Sequence, residues 1–136
     1  MVHYLLPSKV KNVKVVKFDD AVERHKPGQE WRRVRLLATP EITGSKSLTV
    51  GHASFGPGNG APFHAHPGEE TMFITHGKAK FYNKSEEITV TPGTLLYYPA
   101  GEEHRFENIA SQSFEFLFVY TPAGSEDPLK KWELAD

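Results

Sequence analysis

The sequence predicts an all-β protein built as an antiparallel barrel or sandwich, and two features of it carry that expectation. Eleven glycines and ten prolines punctuate 136 residues, and the segments between them are short and rich in β-branched and aromatic side chains. No long stretch carries a helical period. Strands are expected at residues 13–18, 31–38, 47–55, 71–75, 78–82, 87–91, 94–98 and 113–121. Turn chemistry separates them: Lys26-Pro27-Gly28, Gly56-Pro57-Gly58-Asn59-Gly60, His76-Gly77, Asn83-Lys84-Ser85, Pro92-Gly93 and Ala100-Gly101. Residues 19–25 and 127–134 have a weak helical pattern and are expected to form short peripheral helices. Leu95-Leu96-Tyr97-Tyr98 and the run from Phe114 to Tyr120 are apolar on both faces. One face should therefore meet the core and the other a second layer or subunit.

Composition narrows the function classes. At 136 residues, 38% of them hydrophobic, the chain suits one domain spanning 1–136 with a core of its own. Sixteen Lys+Arg against 17 Asp+Glu give a net charge of -1, which argues against nucleic acid or an anionic membrane as partner. With no cysteine, disulfide scaffolds, Cys-ligated zinc, iron–sulfur clusters and thiol catalysis are excluded. The apolar part of MVHYLLPSKV is too short for a signal-peptide core, and no apolar run approaches the ~20 residues that span a bilayer. A cytoplasmic protein is expected.

Chemistry concentrates in two stretches. The first reads Gly58-Asn-Gly-Ala-Pro-Phe-His64-Ala-His66-Pro-Gly-Glu-Glu70, continuing to Gly77; the second runs from Gly93 through Pro99, Gly101 and His104 to Asn108. Residues two apart on a strand project to one face, so His64 and His66 can aim both imidazoles into one cavity. Pro67-Gly68 can turn the chain so that Glu70 opens the next strand beside them. His104, from a different hairpin, can close the group from across the barrel. Three imidazoles and a carboxylate suit Mn, Fe, Co, Ni, Cu or Zn and poorly suit Ca or Mg.

These stretches resemble the paired signatures of the cupin superfamily, G-x5-H-x-H-x3-E-x6-G and G-x5-P-x-G-x2-H-x3-N. Gly58, His64, His66, Glu70 and Gly77, then Gly93, Pro99, Gly101, His104 and Asn108, occupy every fixed position at the family spacing. The motifs lie at 58–77 and 93–108, and the 15-residue gap between them resembles that of small, single-domain, RmlC-like members of the cupin 2 type. The resemblance implies a double-stranded β-helix, or jelly-roll, barrel. It also implies that His64, His66, Glu70 and His104 bind one divalent transition metal ion. In an octahedral site, four protein ligands leave two positions for water, oxygen or a chelating substrate.

Plainer readings stand beside these. Glu69 is the rival of Glu70, and a one-residue shift reverses the face, so only one should point inward. His52 is a candidate acid/base beside the site, although a core or surface role is favoured; His76 is expected at an exposed turn. Tyr97 and Tyr98 should face opposite ways, so at most one reaches the cavity. The Arg32-Arg33-Val34-Arg35 cluster could recognise a carboxylate or phosphate, but a solvated strand face is the favoured reading. No P-loop, dinucleotide fingerprint, nucleophile elbow or helical HExxH is present.

Three functions follow as expectations, since one fold and one metal site host many chemistries. The first is a metal-dependent small-molecule enzyme of dioxygenase or decarboxylase type. The second is an isomerase, epimerase or lyase acting on a sugar-derived substrate, which would need His52 or a pocket tyrosine as its inward-facing base. The third is a ligand-binding or sensing module without catalysis. A homodimer is expected in each case.

Overall fold

The computed structural model describes residues 12–136; the segment read against a signal peptide lies outside the described residues. Among the described residues, eleven strands form two antiparallel sheets. They are β1 (Glu23–Lys26), β2 (Gln29–Ala38), β3 (Thr49–Phe55), β4 (Gly60–His64), β5 (Glu69–His76), β6 (Ala79–Tyr82), β7 (Glu87–Val90), β8 (Leu95–Tyr98), β9 (His104–Asn108), β10 (Phe114–Thr121) and β11 (Glu133–Leu134). The larger sheet has the order β11-β1-β2-β3-β10-β5-β8 and the smaller β4-β9-β6-β7. Their strands are not hydrogen-bonded into one closed cylinder among the described residues. The architecture is the two-sheet jelly roll, with non-consecutive strands brought side by side.

Period-two alternation builds the core between the sheets. On β3, Gly51, Ala53 and Phe55 are buried between half-buried neighbours; on β10, Phe114, Phe116, Phe118 and Tyr120 are buried. Phe81 and Phe106 face them from the smaller sheet, stacked at 4.8 Å, and Phe106 meets Phe55 edge-on at 4.7 Å. Burying each ring contributes about 1.5–3 kcal/mol, and the edge and offset contacts fix how the rings interlock. Asn108 ties the end of the second motif into this core. Buried at the end of β9, its amide donates to the carbonyls of Phe55 and Gln112 and its oxygen accepts from Ala110 N–H.

Three local expectations are corrected. Residues 13–18 do not form a strand: Val15 makes an isolated bridge, and Phe18–Asp20 forms a 3-10 turn. Residues 19–25 are not a helix. The Pro27-Gly28 turn, with Gly28 at φ +77°, folds β1 back onto β2, and ladder hydrogen bonds outweigh a weak helical pattern. Residues 127–134 divide into a 3-10 helix (Asp127–Lys131) and β11, which pairs with β1. The sequence reading also missed α1 (Pro40–Thr43), although its signals are present. Thr39 Oγ1 accepts the Ile42 N–H at 3.0 Å, and Pro40 occupies the first turn.

The two-sided apolar strands behave as expected up to their outer face. Leu96 and Tyr98 pack against the core, while Leu95 and Tyr97 are exposed. Register sets Leu117 opposite Phe73 and Phe73 opposite Leu95, a row of exposed apolar side chains across three strands.

Candidate metal centre

The site is built where the two sheets meet. His64 ends β4 and His104 begins β9, and their strands pair with these two residues directly opposite one another. His104 is thus the cross-strand neighbour of His64, with rings 4.4 Å apart, and does not reach in from across the barrel. Glu70 is the residue that comes from the facing sheet, on β5, flanked in register by Tyr98 and Tyr120. His66 lies past the end of β4 rather than on a strand with His64. Its loop is held by the Gly101 N–H donating to the His66 carbonyl at 2.9 Å, and this bond joins the two motifs. Gly68 permits the return to β5: a Cβ there would sit 2.4 Å from the Thr121 oxygen, so no side chain fits.

Hydrogen bonds orient the rings. His64 Nδ1 lies 2.7 Å from the Pro62 carbonyl and His104 Nδ1 3.0 Å from the Glu102 carbonyl. A carbonyl only accepts, so each Nδ1 carries the proton and each neutral ring presents Nε2 as a lone pair. Tyr98 stacks on His104 at 4.0 Å, and Tyr120 packs against His66 at 4.8 Å. One ring nitrogen from each of His64, His66 and His104 falls within 4.8 Å of the other two, a group that could hold a metal ion. Glu70 Oε1 lies 3.3 Å from His66 Nε2 and 3.5 Å from His104 Nε2. Glu70 and His104 are 3% and 1% exposed, yet Glu70 Oε1 and His104 Nε2 have no hydrogen-bond partner. Buried polar atoms are almost always satisfied, so this pair marks the place where a positive charge fits.

The electrostatics agree. Burial holds the His64 pKa below its ordinary value, which favours the neutral ring. Burial alone would raise the Glu70 pKa, but the His104 and His66 imidazoles outweigh it and keep the carboxyl below its usual range. Burial, with the Glu70 charge adding to it, pushes both the Tyr98 and Tyr120 hydroxyls up, so they stay protonated. A cavity of about 50 Å³ opens beside the group, lined by Arg32, His64, His66, Glu70, Met72 and Tyr120 together with core phenylalanines.

Other candidates fall outside the cavity or behave differently from their reading. Glu69 is exposed and accepts from the Tyr97 hydroxyl, leaving Glu70 as the inward carboxylate. His52 faces away from the core: its Nε2 lies 3.2 Å from Glu115 Oε1 and its ring meets Phe18 edge-on. It therefore cannot act as the inward base required by the isomerase reading. His76 is exposed against the Ser113 carbonyl. The arginine cluster divides, with Arg33 and Arg35 outward on Glu23 and Arg32 at the cavity. Its signal in the sequence was the parity it shares with Val34 and Leu36.

A jelly roll carrying three convergent imidazoles defines a histidine-site β scaffold. Residues 51–120 match the model of the Cupin domain family, and the chain belongs to that family. An uncharacterised protein of Streptomyces coelicolor is 29% identical over 80 residues, covering 59% of this chain and 75% of that one. Among solved structures, the polyketide cyclase RemF of Streptomyces resistomycificus superposes with TM-score 0.70 at 23% identity, covering 80% of this chain and 79% of its own. A predicted oxalate decarboxylase from Thermotoga maritima superposes with TM-score 0.68 at 23% identity, covering 79% and 98%. At these identities the likeness establishes the fold. No helix among the described residues is long and apolar enough to cross a membrane.

Proposed function

We propose that this cupin is a metal-dependent enzyme of dioxygenase or decarboxylase type acting on a small molecule, with His64, His66, Glu70 and His104 holding one divalent transition metal ion. The observation that carries the reading is the buried, unpartnered pair Glu70 Oε1 and His104 Nε2. Two electron-rich atoms held together away from water call for a cation between them, and three imidazoles with a carboxylate suit a transition metal. When bound, such an ion supplies a Lewis acid or redox centre with positions free for a chelating substrate. The Pro62 and Glu102 carbonyls hold two of the donors in the tautomer that leaves Nε2 free, and Tyr98, stacked on the His104 ring, holds its orientation. Phe55, Phe106, Phe116 and Phe118 line the cavity and give it an apolar wall beside the donor group. The neighbours' chemistry, polyketide cyclisation and oxalate decarboxylation by name, supports a small substrate rich in carbonyl or carboxylate oxygen.

The test is metal analysis of the purified protein, then oxygen uptake and carbon dioxide release with iron- and manganese-loaded protein against diketones, catechols and oxalate. Turnover of one class is expected. A fully loaded protein inert toward all of them overturns the enzymatic reading in favour of a sensing module. The exposed row Leu117, Phe73 and Leu95 supports a homodimer formed on the outer face of the larger sheet. Light scattering on Leu95→Glu should then report a monomer, and an unchanged mass refutes that face.

A further inference from the structure

We propose that Arg32 is the anion-binding residue of this cavity, and that the substrate is a small carboxylate whose carboxyl group docks on its guanidinium. The proposal deepens the metal-dependent reading and rests on it for the other end of the substrate; three observations bear on Arg32 itself. First, the pleat of β2 turns Arg32 to the same side as buried Val34 and Leu36, opposite Phe55 on β3. A charge is thereby sent to the apolar face of the sheet. Second, the charge has no counter-ion. Arg33 and Arg35 both reach Glu23, whereas no carboxylate among the described residues comes within 4.0 Å of the Arg32 guanidinium, and residues 1–11 contain no acidic side chain. Its Nε is buried without a hydrogen bond. The group is instead held over two rings, 5.3 Å from Phe55 and 5.3 Å from Trp132. Third, Arg32 lines the same cavity as His64, His66 and Glu70.

A partly buried cation without an anion is unfavourable, and an external carboxylate is the group that completes it. The guanidinium presents a planar fork that matches a carboxylate in bidentate fashion. Contact with the faces of Phe55 and Trp132 orients that fork without using its N–H donors. The enclosed part of the cavity, about 50 Å³, is on the order of a few waters in size and suits a short-chain acid. One end of the cavity thus offers donors for a metal that binds the reacting oxygens, and the same cavity offers a fixed cation for the remote carboxylate.

Acetylacetone and acetopyruvate share one chelating diketone and differ by a carboxylate in place of a methyl group. Zinc-loaded wild type, Arg32→Gln and Arg32→Lys are titrated calorimetrically with both, after metal content and circular dichroism have been matched. Acetopyruvate should bind at least tenfold more weakly to Arg32→Gln, with Arg32→Lys intermediate, while acetylacetone stays within twofold throughout. A second arm uses metal-free protein in a Trp31→Phe background, where malonate docking on Arg32 should change Trp132 fluorescence and Arg32→Gln should abolish the change. Both diketones binding Arg32→Gln as they bind wild type, or a malonate response that survives the substitution, overturns the assignment. A wild type that binds neither acetopyruvate nor malonate does the same. If the protein takes up no zinc yet keeps an Arg32-dependent malonate response, the metal reading fails and the anion site stands.

Discussion

Replacing Glu70 by Gln should stabilise the metal-free protein while weakening its hold on metal, two effects of opposite sign from one near-isosteric change. In the wild type, Glu70 Oε1 faces His66 Nε2 at 3.3 Å and His104 Nε2 at 3.5 Å with no hydrogen bond to either. His104 Nδ1 is committed to the Glu102 carbonyl, so the His104 Nε2 lone pair faces the carboxylate oxygen, an acceptor against an acceptor. A glutamine amide brings N–H donors to the same position, and one new buried hydrogen bond contributes about 0.5–1.5 kcal/mol. With an unfolding entropy of about 2.1 cal/mol/K per residue, a chain of this length gains roughly 2–5 °C in Tm. Metal affinity moves the other way: the anionic donor is lost, and a fall of at least tenfold is expected, since changing even a supporting residue removes about 10–100-fold. Differential scanning calorimetry of the chelator-treated proteins reads the first effect and competition with a chromogenic chelator reads the second. A metal-free variant less stable than wild type by about 1 kcal/mol or more, together with unchanged metal affinity, would refute the account of the orphaned pair.

Three further outcomes are expected. At a hundredfold excess over Kd, a bound ion should stabilise the wild type by about 2.7 kcal/mol, roughly 9 °C in Tm; His104→Ala should abolish that metal-dependent rise, whatever it does to the metal-free baseline. Gly68→Ala should cost about 1–3 kcal/mol in urea denaturation, because the new methyl meets the Thr121 oxygen at 2.4 Å, and relaxation of the 65–68 loop should weaken metal uptake with it. His52, its pKa lowered mainly by burial, is protonated in the unfolded chain before the folded one. Stability should therefore be full above about pH 6.5 and fall as the pH drops through the lowered folded value. His52→Gln should flatten that part of the urea-derived stability profile relative to wild type, and an unaltered slope would place the proton uptake elsewhere.

β3 and β6 were legible because burial follows their period-two alternation, and β10 because its run of aromatic and β-branched residues is bounded by turn signals. β9, β1 and β11 were not. Glu23–Lys26 and Glu133–Leu134 have no apolar rhythm of their own to announce them and are strands through their ladder partners, β1 between β2 and β11 and β11 on β1. The same division holds at the site. His64, His66, Glu70 and His104 stand out from the spacing of the cupin motif, which also selects Glu70 over Glu69; strand parity says only that one of the two turns inward.

Sequence by itself determined which residue types are available, in what periodicity, and where glycine and proline let the chain turn, since these are local properties. It could not determine that His104 is the cross-strand partner of His64 while Glu70 comes from the facing sheet. Nor could it place His52 outside and Arg32 inside, or leave the Glu70 and His104 atoms without partners. Those facts depend on which strands pair and on how two sheets close over a shared core, long-range choices that set distance, burial and counter-charge together.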